Sequence, residues 1–486
     1  MMNGDALSFV VVGASGDLAR KKVIPALFAL FCQGLLPAGF RVFGFARSPF
    51  DHAAFREKIV EHLTCRYAPG ESCADRMAEF LARCFYCAGE YGSPEGFLNL
   101  YQLMREIEPA RDANRIFYLA IPPDVFLDVA RALGSAGLVV CGSPAQGWSR
   151  VVIEKPFGRD RASSDQLVRE MGTVFTEDQT YRIDHYLGKE VVQNLMVLRF
   201  GNRVFQPVWN RDHVERVEIV WKEDIGVEER GGYFDHYGII RDVIQNHLMQ
   251  ILALLAMEEP ERYDAMAVRN EKVRLLRQVP ALGRADLVIG QYAAAPAGAP
   301  PHRAYTAEAH VPPDSRTPTY AAARLRVHNR RWEGVPFLLQ AGKGLDGRVS
   351  EIRIKFRPLA RNIFGAAGGA VEANELVIRI QPDESIHLRV MNKVPGMGLH
   401  LQATDLNLRY QAAFKGEIPD AYERLLLDVM EGDKGLFIRA DELAGAWDIF
   451  TPVLQQLEQH ADAPFTYPFG SAGPAAAAGL LGGAGA

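Results

Sequence analysis

The 486-residue chain lacks any run of about 18 consecutive apolar residues, so no helix is expected to cross a membrane. It also lacks strong charge of either sign. A formal net charge of −5 gives no broad basic field, which argues against general nucleic-acid binding. The opening MMNGDALSFVVVG has neither a basic stretch nor a small-residue cleavage site, and no signal peptide is expected. Cysteine is scarce: Cys32, Cys65, Cys73, Cys84, Cys87 and Cys141 all fall in the first 141 residues, with spacings unlike a disulfide framework. A reduced, cytoplasmic setting is therefore expected. Cys84 and Cys87 form a CxxC, but no second pair follows and the run around them is apolar. The expectation is a structural role, with no metal site. No internal repeat is evident.

What is present is an ordinary globular composition, 48% hydrophobic and 23% charged. The length exceeds one compact core, so two domains are expected. The densest chemistry lies in RIDHYLGKE at 182–190. It packs Arg182, Asp184, His185, Tyr186, Lys189 and Glu190 together, and each polar group that is buried must find a partner. Read as a helix, the run places His185 and Lys189 on one face, i to i+4. Two donors with a tyrosine hydroxyl between them suit a phosphate. The alternative is a solvated, salt-bridged helix start.

The first part of the chain alternates strands with helices. SFVVVG at 8–13 reads as a buried parallel strand. It runs into GASGDLARKKVIPALFALF, where Gly13 and Gly16 turn the chain into a helix. Free backbone N–H groups at such a helix start suit a pyrophosphate. The strand RVFGFARSPF at 41–50 continues into Arg47 and Ser48, where an NAD site usually places an acidic residue. Arg47 would neutralise a 2′-phosphate, which favours NADP. Further strands at 115–123 and 150–158, with a helix at 124–138 between them, imply a doubly wound parallel sheet. Tyr118, Pro122, Glu154, Lys155 and Pro156 fall at strand carboxyl ends, where ligands bind. A cis bond before Pro156 would fix where the Lys155 ammonium points.

Beyond 190 the pattern changes to alternating strands at 214–226, 322–329, 350–358, 374–382 and 385–393, as in a large antiparallel sheet. A long helix is expected from Ile239 to about residue 257, its apolar stripe interrupted by Asp242, Asn246 and His247. On an α-helix Asp242 and His247 stand about 140° apart, so the imidazole would need a carboxylate from elsewhere. Asp184 is the candidate, since a carboxylate on one ring nitrogen leaves the other free to accept a proton. Lys343 follows an apolar strand between glycines, Arg348 comes five residues later, and Glu223 ends the strand at 214–226.

GASGDLARKKVIPALF, EKPFG, RIDHYLGKE, RGGYFDHYGIIRDVIQNHLMQ and GVPFLLQAGKGL, in this order, closely resemble the signature runs of the glucose-6-phosphate dehydrogenase family. The resemblance extends from about residue 9 to about 470. It implies a Rossmann-like NADP-binding domain at 1–182, an α+β substrate and dimerisation domain at 183–470, and a low-complexity tail at 471–486, expected to be disordered. It implies oxidation of glucose 6-phosphate at C1 by NADP⁺, with His247 as general base and Asp184 orienting it. Gly13, Ala14, Ser15, Gly16, Asp17 and Leu18 would line the pyrophosphate turn, with Arg47 at the 2′-phosphate and Tyr118, Glu154 and Lys155 also facing the cofactor. His185, Tyr186 and Lys189 would hold the sugar phosphate, and Lys343, with Arg348 assisting, would sit near the sugar and phosphate. Glu223 and Asp242 would bind sugar hydroxyls, and Lys155 would lie between cofactor and sugar. A homodimer or homotetramer is implied.

NRRW at 329–332 lacks the tryptophan that the family commonly has before its Arg-Trp pair, and GSAGP at 470–474 replaces a more usual GSWGP; both departures bear on local packing and oligomer contacts. Two other readings fit the residues less well. A dehydrogenase for an unphosphorylated sugar would not need His185, Tyr186 and Lys189, and a non-catalytic NADP sensor would not need a general base.

Overall fold

Short β-branched runs form strands buried on both faces, because helices cover a parallel sheet from each side. The computed structural model describes residues 6–67, 72–108, 113–139, 147–365, 370–414, 416–460 and 462–482. Cys141 and residues 483–486 lie outside them.

The contacts divide the chain into two units. The first comprises Met1–Gly188, Arg262–Arg269 and Pro419–Leu443; the second comprises Lys189–Glu261, Asn270–Ile418 and Ala444–Ala486. The expected boundary at 182/183 thus falls inside the first unit, which also takes back two later segments.

The first unit is built on strands β1 (Leu7–Val12), β2 (Arg41–Ala46), β3 (Cys84–Ala88), β4 (Asn114–Leu119), β5 (Ser149–Glu154) and β6 (Thr180–Ile183). They run parallel in the order β6-β5-β4-β1-β2-β3, and the short strand Phe437–Ile438 adds antiparallel to β6. The order reverses between β1 and β4, which opens a crevice at their carboxyl ends. All six residues of β1 are buried. The helix Ile24–Cys32 packs into the same core as Leu425, Leu426, Val429 and Met430 of the helix Ala421–Glu431. That later helix starts at Asp420, whose carboxylate accepts from the Tyr422 N–H, and stops at Gly432 in the left-handed region, φ +86°.

The second unit carries a nine-stranded sheet. Its strands are β7 (Val214–Lys222), β8 (Leu287–Ala293), β9 (Tyr320–Leu325), β10 (Phe337–Gly342), β11 (Val349–Phe356), β12 (Glu375–Gln381), β13 (Ser385–Lys393) and β14 (Leu401–Arg409), with Phe465–Pro468 on one edge. The order is β14-β13-β12-β11-β7-β10-β9-β8 and then Phe465–Pro468. β7 with β10, and β8 with Phe465–Pro468, are parallel; the other pairs are antiparallel. This is the fold class expected: a doubly wound parallel sheet followed by a large, mostly antiparallel one. Among the described residues no helix is long and apolar enough to cross a membrane.

Four local expectations are corrected. RIDHYLGKE is not a helix: β6 ends at Ile183, residues 185–188 form a turn, and the helix Glu190–Phe200 starts only after Lys189. The Asp184 carboxylate accepts the Tyr186 N–H at 2.9 Å, a local bond that competes with helix formation. The helix around His247 is α-helical only from Met249 to Ala256; Ile240–Leu248 is a π-helix, and Gly238 breaks the chain just before it at φ +66°. The i→i+5 pattern brings positions five apart, such as 242 and 247, towards one line rather than 140° apart. Cys65 and Cys73 form a disulfide with Cα atoms 5.6 Å apart, a closeness that sequence spacing does not reveal. Lastly, residues Ala476–Gly482 form a helix with Ala477 and Leu480 buried, so the described part of the tail is ordered by apolar contact.

Candidate functional site

In the first unit, the turn after β1 is fixed by glycine. Gly13 has φ +89°, and a Cβ there would lie 2.3 Å from the Ala120 carbonyl oxygen beyond β4. The Gly13 N–H donates to Phe45 O at 2.7 Å, and the Gly16 N–H to Gly13 O at 2.9 Å. The first bond ties the turn to β2, and the Ala120 N–H, donating to Val12 O at 2.8 Å, ties the end of β4 to β1. Ala14 is buried, Ser15 and Leu18 are partly exposed, and Gly16 and Asp17 face solvent. Asp17 pairs with Arg20 at 2.8 Å and Lys21 at 2.9 Å, and the Lys21 hydrogen bond leads in holding its carboxyl below the usual range.

Beside this turn, the Ser48 hydroxyl donates to Ser15 at 2.9 Å. The end of β2 is thereby tied to the glycine turn. Arg47 is exposed, and its guanidinium lies 5.1 Å from the centre of the Tyr91 ring. Tyr91 escaped the sequence reading, since it follows a different strand and no local motif marks it.

Glu154 closes β5. It is buried and accepts hydrogen bonds from Tyr118 at 2.5 Å and Tyr422 at 3.2 Å. Burial pushes its carboxyl above the usual range, while the two phenols pull it back. Tyr118 is fully buried, and its hydroxyl supports Glu154 from within the core. Lys155 is partly exposed, and its bond to Pro156 is cis. Asp184 and Tyr186 are buried at the turn after β6. The His185 ring lies parallel to Tyr422, 6.4 Å between centres and 8° between planes. Tyr422 thus backs both Glu154 and His185. It lies far from both in sequence and was not among the expected residues.

The second unit holds the remaining candidates. Lys189 immediately precedes the helix Glu190–Phe200, and its ammonium donates to Gln381 at 2.8 Å. Nearby Glu384 has its carboxyl raised by burial, partly offset by Lys189. Separately, the Lys343 ammonium is 2.5 Å from the Glu223 carboxylate and faces the rings of Trp221 at 5.4 Å and Phe234 at 5.8 Å. Glu223 N donates to Gly342 O at 2.9 Å, so the two residues end neighbouring strands at the same level. Arg348 is exposed just before β11, with no contact to Lys343 among the bonds described. On the π-helix, Asp242 is partly exposed and His247 buried; the His247 N–H donates to the Asn246 side chain at 2.6 Å.

Chemically, the first unit offers a backbone cradle for a pyrophosphate, a stacked arginine for a further phosphate, and a lysine at a strand end. The second offers a buried imidazole, an anchored lysine and carboxylates able to accept from sugar hydroxyls.

Two family models match the chain: "Glucose-6-phosphate dehydrogenase, NAD binding domain" over residues 10–194 and "Glucose-6-phosphate dehydrogenase, C-terminal domain" over 196–486. The chain is 52% identical over 474 residues to chloroplastic glucose-6-phosphate 1-dehydrogenase 1 of Arabidopsis thaliana, covering 97% of this chain and 81% of the relative. It is 44% identical to a cytoplasmic isoform of Solanum tuberosum, covering 99% and 92%. Among solved structures, a glucose-6-phosphate dehydrogenase in complex with its substrate glucose-6-phosphate matches with TM-score 0.91 and 40% identity over 98% of this chain and 97% of that one.

Proposed function

The chain belongs to the glucose-6-phosphate dehydrogenase family and is an NADP-using oxidoreductase; on that premise we propose that it oxidises β-D-glucose 6-phosphate at C1 to 6-phosphoglucono-1,5-lactone, the first oxidative step of the pentose phosphate pathway. The observation that carries this reading is the near-complete match, across both family models, to a dehydrogenase solved with that sugar phosphate.

The residues of the first unit fit NADP. A side chain at Gly13 would fill the turn, and the exposed Arg47 guanidinium stacked by Tyr91 suits a 2′-phosphate. In this reading 13–18 line the pyrophosphate and Lys155 lies between cofactor and sugar, with Glu154 behind it. Bound NADP⁺ supplies the hydride acceptor. His247 takes the C1 hydroxyl proton, and Asp184 orients the imidazole and stabilises its charged form; the match of both residues to family motifs supports this assignment. Removing the proton makes hydride loss from C1 easier. His185, Tyr186 and Lys189 hold the phosphate with Lys343 and Arg348, while Glu223 and Asp242 accept from sugar hydroxyls.

A homodimer or homotetramer belongs to the same proposal. The edge strand β14 supports it, since Leu406 is 62% exposed there and Leu408 39%. A cytoplasmic site of action is also proposed; the relatives include both chloroplastic and cytoplasmic forms.

The test mixes the purified protein with glucose 6-phosphate and NADP⁺ and follows reduced-nicotinamide absorbance. Turnover that requires the phosphate of the sugar is expected. Cofactor binding without turnover would refute the reading.

A further inference from the structure

Lys343 is held by a closed ring of hydrogen bonds reaching into the C-terminal segment. Its backbone N–H donates to Thr319 O at 3.0 Å. Its carbonyl accepts from the Tyr467 hydroxyl at 2.7 Å. Tyr467 and Thr319 are themselves joined, hydroxyl to hydroxyl, at 2.8 Å.

The direction of each proton in this ring follows from donor counting. A carbonyl only accepts, so the one Tyr467 proton goes to Lys343. Thr319 must then donate to Tyr467. The Thr319 oxygen accepts in turn from the Tyr292 N–H at 3.0 Å. Every member has one defined role, and both Tyr467 and Thr319 are buried. Burial also raises the Tyr467 phenol well above its ordinary range, which keeps it a donor.

The neighbouring residues tighten the same point. Gly344 sits at φ +61°, and a Cβ there would lie 2.6 Å from the Phe469 ring. Gly470 N donates to Gly344 O at 2.8 Å. The segment at 467–470 therefore grips 343 and 344 from one side, while the Gly344 N–H donates to Ile225 O and the Leu345 N–H to Glu223 O, both at 2.9 Å, from the other.

We propose that Tyr467 is a positioning residue for Lys343: by fixing the lysine's carbonyl it sets the direction of the ammonium, and with it the affinity for the sugar phosphate. The inference rests on the reading of Lys343 as a phosphate ligand. Tyr467 touches neither substrate nor cofactor in this proposal.

The experiment is a double-mutant cycle on the full-length protein, with glucose 6-phosphate and NADP⁺ as varied substrates. Tyr467→Phe keeps the ring and removes the hydroxyl. It is expected to raise KM for glucose 6-phosphate about three- to tenfold, the scale of one hydrogen bond, with kcat and the KM for NADP⁺ essentially unchanged. In a Lys343→Gln background the same change is expected to add nothing. Thr319→Val should act in the same direction, and Thr319→Ser, which keeps the hydroxyl, should restore the wild-type KM. Should Tyr467→Phe fail to fold, Thr319→Val carries the cycle. An equal KM rise in both backgrounds, or a parallel rise in KM for NADP⁺, overturns the inference. A Lys343→Gln variant with wild-type KM would instead remove the reading of Lys343 on which it rests.

Discussion

The Lys343 ammonium lies 2.5 Å from the Glu223 carboxylate, at the ends of adjacent parallel strands β10 and β7. The pair aims the lysine and leaves its remaining protons for an anion. A charge-assisted bond of this kind contributes about 1.5–3 kcal/mol. Glu223→Gln is therefore expected to raise KM for glucose 6-phosphate at least about tenfold, and Lys343→Gln by more, with kcat changed far less. Steady-state kinetics with the sugar phosphate varied at saturating NADP⁺ decides this; an unchanged KM in both variants would count against the assignment.

His247→Asn removes the proposed base and keeps much of the shape. A loss of about 100- to 10,000-fold in kcat is expected, with binding of glucose 6-phosphate preserved. Pre-steady-state turnover together with calorimetric binding separates the two quantities. A variant near the wild-type rate would eliminate His247 as the base.

Arg47→Ala tests the 2′-phosphate contact. The KM for NADP⁺ should rise at least about tenfold, as one charge-assisted contact is lost, while the KM for NAD⁺ moves little. Equal changes for the two cofactors would show that the arginine serves the fold instead, through its stacking on Tyr91.

Asp428 provides a prediction about pH. It is buried in the helix Ala421–Glu431, and burial pushes its carboxyl up to about 7 despite Arg424 at 2.6 Å. The partner is the weaker influence because its side chain is 41% exposed and shares its charge with water. The folded state thus holds the proton more tightly than the unfolded chain. The contribution to stability is fully present below about pH 4, the unfolded value, and is lost as pH rises through about 7. Asp428→Asn cannot ionise. Its Tm relative to wild type should rise between pH 5 and pH 8, and a constant difference across that range would contradict the raised value.

Much of this was legible in the chain because it is local. The strand expected at 385–393 is β13 to the residue, since alternation over nine positions leaves little choice of face or ends. The glycine turn was legible because only glycine tolerates the approach of Ala120. Other features were not legible for definable reasons. The π-helix around His247 lies outside a periodicity of 3.6, so its angular relations were misread. The polar run at 182–190 looked helical by spacing, but the Asp184 side chain captures a backbone N–H and makes a turn. Tyr422, Tyr91 and Tyr467 carry no motif and acquire their roles from partners distant in sequence.

The nucleotide-binding unit is assembled from three separate lengths of chain, the last ending at Leu443. A ribosome releases its first 188 residues well before the helix Ala421–Glu431 exists. At ~5–20 residues per second the wait is roughly 10–50 s. Through that interval the helix Ile24–Cys32 lacks the cover that Leu425, Leu426, Val429 and Met430 later supply. The newborn chain must therefore carry an uncovered apolar surface for seconds, a natural point of engagement for a chaperone. For the same reason a fragment cut after residue 188 would be expected to aggregate rather than bind nucleotide.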